Sequence, residues 1–209
     1  MHNLRVTEAG DEMAPGKVKA VWMDITVIRA NGQREERGCV SYWHRSRFRR
    51  GMHMAKKAAL WPLHLWDKFA DRYIPALSFG LATLQVNSGR GIVTARLRGT
   101  GTEPLNIGWG TGAGTTVAAD TTLFTEVLVN MTAGGTDHTV GASSQVTTTT
   151  TNDTYRVIGT RTATAVGTIT NAGLFDAASG GTLFMKGDFA GIALSANDAI
   201  SFTMNVQYS

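Results

Sequence analysis

The stretch Ala199-Ile200-Ser201-Phe202-Thr203-Met204-Asn205-Val206-Gln207-Tyr208 decides the fold. Ile200, Phe202, Met204, Val206 and Tyr208 fall on one side of an extended chain, and Ala199, Ser201, Thr203, Asn205 and Gln207 on the other. Side chains alternate across a strand, so this pattern predicts a strand with one face in a core and one in water. Working back along the chain, Tyr155 to Thr164 alternates in the same way, with Tyr155, Val157 and Gly159 against Arg156, Ile158 and Thr160. Leu81 to Val86 and Gly91 to Leu97 read as short β-rich runs bounded by Gly and Asn, and Thr121 to Val129 as another. Ala133-Gly134-Gly135 is a Gly-rich turn, and Val140 to Thr151 is mostly Ser and Thr. Strands at about ten-residue spacing, separated by turn signals, predict an antiparallel β-sandwich or barrel. Within that class the prediction is a jelly-roll-like sandwich over residues 78–209, able to fold without what precedes it.

The N-terminal part reads differently. Val18 to Ile28 is rich in β-branched residues and stops at Asn31-Gly32, a strong turn signal. A second apolar run, Gly38 to Trp43, predicts a β-hairpin with an extended polar tip, Gln33 to Arg37. Residues 44–57, HRSRFRRGMHMAKK, carry six Lys and Arg and no acid. Ala58 to Tyr73 then reads as an amphipathic helix: Leu60, Trp61, Leu65, Trp66 and Phe69 recur near helical spacing. Pro62 fits its first turn and Pro75 ends it. Residues 1–75 hold 14 Lys and Arg against 8 Asp and Glu; the remainder holds 6 against 8. The first part also has four of the five tryptophans, whereas the second has 26 threonines. These shifts place a boundary at 77/78, between a basic N-terminal arm and a nearly neutral sandwich.

Composition excludes several classes. The chain has 209 residues, 43% of them apolar and 17% charged, too apolar and too near neutral for wholesale disorder. Cys39 is the single cysteine, which removes a disulfide framework and a cysteine-built zinc site. The longest mostly apolar stretch, Ile74 to Leu84, falls short of the roughly 20 residues of a membrane span. The N-terminus, MHNLRVTEAGDEM, has acids where a signal peptide needs an apolar run. The expectation is a soluble protein that meets no membrane.

No motif specifies chemistry. Gly108-Trp109-Gly110-Thr111-Gly112-Ala113-Gly114 has the glycine spacing of a phosphate loop but neither the Lys-Ser/Thr nor a following helix pattern. It reads as a loop of a β protein that needs positive φ. Asp137-His138 with Asp120, Asp153 or Ser143 makes no triad at any family spacing, and reads as a threonine-lined surface loop. His44, His53 and His64 lie 9 and 11 residues apart, so no two share a helical face at i, i+4. No catalytic residue, metal ligand or cofactor is therefore assigned. The strongest feature is charge. Arg45, Arg47, Arg49, Arg50, Lys56 and Lys57 suit an acidic protein surface or, less well, nucleic-acid phosphates. Trp61, Leu65 and Trp66 supply apolar anchors beside them.

The order of several C-terminal segments resembles a family. Asn106-Ile107-Gly108-Trp109-Gly110-Thr111-Gly112 is followed by Asp120-Thr121-Thr122-Leu123-Phe124-Thr125-Glu126, then by Asn171-Ala172-Gly173-Leu174-Phe175-Asp176-Ala177 with Gly180-Gly181-Thr182-Leu183-Phe184. Asp188-Phe189 and Ile192 to Ile200 close the series. Together they resemble small β-sandwich structural proteins of tailed-bacteriophage virions, over residues 105–209. The resemblance implies a non-enzymatic virion component made in the host cytoplasm, first of all a capsid decoration or cement protein. It implies partners among its own copies, as a trimer, and in the major capsid protein or other virion subunits. A tail, neck or fibre component with receptor binding, and a coat protein whose basic arm contacts packaged genome, are the alternatives.

Overall fold

The computed structural model describes residues 18–39 and 83–208. The elements in chain order are β1 (Val18–Ile28), β2 (Arg34–Cys39), β3 (Thr83–Gln85), α1 (Asn87–Leu97), β4 (Asn106–Gly110), β5 (Glu126–Val127), β6 (Thr139–Val140), β7 (Ala142–Val146), β8 (Thr154–Thr162), β9 (Gly167–Phe175), β10 (Leu183–Leu194) and β11 (Ala199–Tyr208). They form two antiparallel sheets. One has the order β2-β1-β11-β8-β7; the other runs β3-β10-β9-β4-β5, with β6 also paired to β4. Across both sheets β1 pairs with β11, β3 with β10, β4 with β9, and β7 with β8. This first-with-last nesting is that of a long antiparallel ribbon rolled up, the plan of a jelly-roll-like sandwich.

The core lies between the sheets. Val21, Met23, Ile25 and Val27 of β1 and Ile200, Phe202, Met204 and Val206 of β11 meet Ile107 and Trp109 of β4, Ala172 and Leu174 of β9, and Met185 and Ile192 of β10. The apolar side of β11 is thus the predicted one. Its polar side is not uniformly in water: Asn205 and Gln207 are buried. Arg156 Nε donates to Asn205 Oδ1 at 2.8 Å, and the loop after β7 covers Gln207.

Four sequence expectations change. The hairpin is not part of a separate arm: β1 pairs with β11 along its length, from Val18↔Tyr208 to Ile28↔Ala199, and contributes four side chains to the core. Its turn is fastened to the β10–β11 loop by Asp198, which accepts from the backbone N–H of Ala30 and of Ser195 and from Arg29 Nη1, each at 2.9 Å. Of the residues read as the hairpin tip, Arg34 to Arg37 belong to strand β2 and Gln33 alone to the turn, with Ile28↔Arg34 the first pair after the turn and Gly32 at φ +85°. An edge strand tolerates charge on its open side, which hides it from an alternation argument.

Gly91 to Leu97 belongs to α1 rather than to a strand. Ile92 and Val93 suit either state; Ala95, Arg96 and Leu97 favour helix, and Gly99 at φ +75° follows it. Docking decides the matter. Ser88 Oγ donates to the Leu183 carbonyl at 2.7 Å, Ile92 enters the core, and Gly89 lies so close to the Phe184 backbone that no Cβ would fit. Finally, Thr121 to Val129 holds only the two-residue β5. The predicted helix over 58–73, the basic run 44–57 and the strand residues beyond Cys39 lie outside the described residues.

Candidate functional site

The residues assigned to partner binding, Arg45, Arg47, Arg49, Arg50, Lys56, Lys57, Trp61, Leu65 and Trp66, all lie outside the described residues. The structure instead shows two groupings that sequence reading missed: a roofed polar layer on one sheet, and an uncharged open edge on the other.

The polar layer covers the outer face of the six-stranded sheet. Gly108 and Gly110 of β4 and Gly173 of β9 leave a shallow floor there. A Cβ on Gly108 would meet His138 Cδ2 at 2.9 Å, and one on Gly173 would meet Leu123 Cδ2 at 3.0 Å. The glycines after Thr111 do the same against Phe124 and Thr125, and none of the four from Gly108 to Gly114 has positive φ. The glycine run is therefore there for close approach of the loop 111–125, not for a left-handed turn.

Onto this floor the loop fits its polar groups. Asn171 accepts from the Phe124 N–H at 3.1 Å and donates to the carbonyls of Phe124 at 3.0 Å and Gly112 at 3.2 Å. Asp188 accepts from the Thr116 N–H at 2.8 Å. Lys186 is fully buried, donating to Asp120 Oδ2 at 3.1 Å and to the Thr122 carbonyl at 3.0 Å. His138, read as part of a surface loop, is buried here. It stacks on Phe175 with ring centroids 4.0 Å apart, donates Nδ1–H to the Ala177 carbonyl at 2.7 Å and faces Glu126 Oε1 with Nε2 at 2.7 Å. Both ring nitrogens are thus committed, and the partners are Glu126 and Ala177 rather than Asp120, Asp153 or Ser143. An imidazole held in this way orders strands β5 and β6 against β9.

Between the sheets, Arg161 of β8 is almost wholly buried. Its guanidinium sits 4.9 Å from the Trp109 ring centroid, with Nη1 donating to Thr139 Oγ1 at 3.2 Å and Asp137 at 3.9 Å from Nη2. Burial pushes this guanidinium below the ordinary arginine range, while Asp137 and Glu126 push it back. It closes one end of the core by bridging β8 to β6. Among the described residues no three His, Cys, Asp or Glu side chains gather as metal ligands, and no helix is long and apolar enough to cross a membrane.

The threonine tract has a centre that composition does not reveal. Asp153 accepts from the N–H groups of Thr148, Thr149 and Thr150, from Thr149 Oγ1 and from Gln207 Nε2, at 2.7–3.0 Å. Partial desolvation opposes ionisation, but the bonds from Gln207 and the threonines outweigh it and hold Asp153 well below the usual carboxylate range. The loop is thus tied down over the end of β11.

Next to it lies the open edge. β7 pairs only with β8 among the described residues, and Ala142, Ser143, Ser144 and Gln145 are exposed. From Thr139 to Asn152 there is no charged residue. Val140 and Ile158 stand exposed beside this edge, with Ile158 paired to Ala142. The opposite edge, β2, carries Arg34, Glu35, Glu36 and Arg37, with Glu35 ion-paired to Arg29 at 3.2 Å and to Arg37. Charge on an edge discourages pairing with other chains; its absence permits it. Compared with known protein families, curated proteins and solved structures, the chain matches none.

Proposed function

We propose that this chain is a non-enzymatic structural protein of a tailed-phage virion, of the capsid decoration or cement kind. One observation carries the reading: the uncharged, exposed β7 edge with Val140 and Ile158 beside it, set against a charged β2 edge. A surface of this type suits packing against copies of the same chain, and closed homo-oligomers are the common result. The buried carboxylates and the imidazole hold loops and strands in place, roles that fit a structural protein. The segments that resemble phage virion modules fall on β4, on the loop leading into β5, on the β9–β10 turn and on the β10–β11 corner, so they share one framework. In this proposal the sandwich packs as a trimer, and the segment from Arg45 to Trp66 fastens it to the major capsid protein or another virion subunit.

The experiment has two arms. Light scattering on the purified chain should give a trimer, and Ser144→Lys with Ile158→Lys should shift it toward monomer while leaving the circular dichroism unchanged. In particle-binding assays, replacing Arg45, Arg47, Arg49 and Arg50 with Ser should slow association most at low salt, where screening is weak. Trp61→Ala and Trp66→Ala should each speed dissociation by about 2 kcal/mol of lost contact. A monomer at all concentrations, together with particle occupancy untouched by both sets of changes, would overturn the reading. Salt-dependent binding to nucleic acid, with no affinity for the shell, would move the chain to the class of genome-contacting coat proteins.

A further inference from the structure

Lys186 is the one lysine among the fully buried side chains of the described residues, and its surroundings are unusual for an ion pair. Its Nζ has two oxygen acceptors, Asp120 Oδ2 at 3.1 Å and the Thr122 carbonyl at 3.0 Å. The ring of Phe124 lies over it, with the centroid 3.0 Å from Nζ, and shields it from water. Asp120 Oδ2 also accepts the Val117 N–H at 3.1 Å. A second carboxylate, Asp188, is buried two residues further along the same face of β10 and acts on Lys186 through its charge. A buried amine thus touches one carboxylate, has a second close by, and has a backbone N–H aimed at the carboxylate oxygen.

We propose that Lys186 and Asp120 condense to an intramolecular amide, cross-linking the loop 111–125 to strand β10. The protons and electrons balance within the site. Asp188 takes one proton from the ammonium and passes it to Asp120 Oδ1. The Nζ lone pair forms the bond to Cγ, with Oδ2 carrying the developing negative charge toward the Val117 N–H. A second Nζ proton travels to Oδ1 by the same route, and the Cγ–Oδ1 bond breaks to release water. One N–H remains on the new amide, with the Thr122 carbonyl as its acceptor. Asp188 ends ionised as it began, and no oxidant, reductant or activated co-reactant is required.

Two physical terms favour the product. The reacting groups are held in contact by the fold, which removes the entropic cost of bringing them together. A neutral amide is also cheaper to bury than a separated ammonium and carboxylate. Burial pushes the Lys186 ammonium below the ordinary lysine range, against the opposing pull of Asp120 and Asp188, and so raises the share of nucleophilic amine.

The test is the intact mass of the full-length chain, denatured after purification. The expected mass is one water below that of the sequence, and a tryptic digest should contain a branched peptide joining the segment of Asp120 to one uncleaved at Lys186. Lys186→Arg should restore the full sequence mass. Asp120→Asn, which keeps the shape of the site, should lose ammonia in place of water. Asp188→Asn should leave most of the chain unlinked in freshly purified protein. A wild-type mass equal to that of the sequence, after prolonged incubation of folded protein, overturns the proposal and leaves an ion pair. A one-water loss that survives Lys186→Arg overturns it equally, because the dehydration then lies elsewhere.

Discussion

The two sheets of this sandwich are built on different rules. Along β11 in the five-stranded sheet, inward residues are apolar and outward ones are polar. In the six-stranded sheet, all five residues of β4, the last five of β9 and the first seven of β10 are buried, whichever face they take. The difference is the roof. The five-stranded sheet turns much of its outer face to solvent, whereas the other carries the loop 111–125, His138 and the start of α1. Where only one face is covered, the period of two in the sequence is the period of burial. Where both are covered, residue type no longer reports which side is inside, and glycines and buried polar side chains take the outer positions.

The largest expected effect tests whether β1 belongs to the first sheet or to an arm. Residues 78–209 alone lack Val21, Met23, Ile25 and Val27, four buried side chains. At about 1.5–3 kcal/mol for each buried side chain of this size, their loss approaches the whole stability of a domain. It also strips β11 of one ladder partner. The fragment should give no cooperative thermal unfolding by circular dichroism, and adding a peptide of residues 18–39 should restore it. A fragment that melts cooperatively by itself would return the hairpin to the arm.

A smaller effect separates the outer faces. Asn171→Leu keeps approximate volume but leaves the Phe124 N–H without its partner, while the carbonyls of Phe124 and Gly112 keep the Gly112 N–H and the Thr170 hydroxyl as donors. An unpaired buried group costs about 1–3 kcal/mol, so the loss should be about 1–3 kcal/mol in urea unfolding. A cost below 1 kcal/mol would mean that the roof over the six-stranded sheet is loosely seated.

These contrasts explain what the sequence makes legible. The β class, the strand Thr154–Thr162 and the whole of β11 follow from alternation, because each has one face toward the core, and Val18–Ile28 follows from its β-branched residues. The integration of β1 with β11 does not, since pairing between the two ends of a chain leaves no local mark. The helix α1 is missed because its β-branched pair Ile92-Val93 weighs toward strand, and contacts with Leu183 and Phe184, distant in sequence, decide otherwise. In the candidate site, Asp137-His138 is visible as a pair, but the partners Glu126 and Arg161 lie 12 and 23 residues from His138 and obey no motif spacing. Lys186 and Asp120, 66 residues apart, are likewise brought together only by the loop laid across β10.

The Asp153 loop gives a pH-dependent effect. Its carboxylate is held below the ordinary range, so its contribution is present above the unfolded-state value of about 3.9 and is lost as pH falls through the lower folded value. Asp153→Asn should therefore lower the melting temperature at neutral pH, and the gap from wild type should close in strong acid. A gap that is the same at neutral and strongly acidic pH would show that the loop is held by packing rather than by the ionised carboxylate.

The smallest effect is the counterpart of Asn171→Leu on the other sheet. Thr203 stands on the outer face of β11, between Asp24 of β1 and Ile158 of β8 in register, and is half-buried. Valine keeps its branched shape and its preference for strand geometry, and water stands in for much of what the hydroxyl loses at a partly exposed site. Thr203→Val should shift stability by less than about 0.5 kcal/mol, with the urea midpoint unchanged. The two substitutions are alike in kind, each removing a polar group from a strand's outer face, so only the covering above them differs. If Thr203→Val costs as much as Asn171→Leu, the outer face of the five-stranded sheet is roofed as well, and the distinction between the sheets fails.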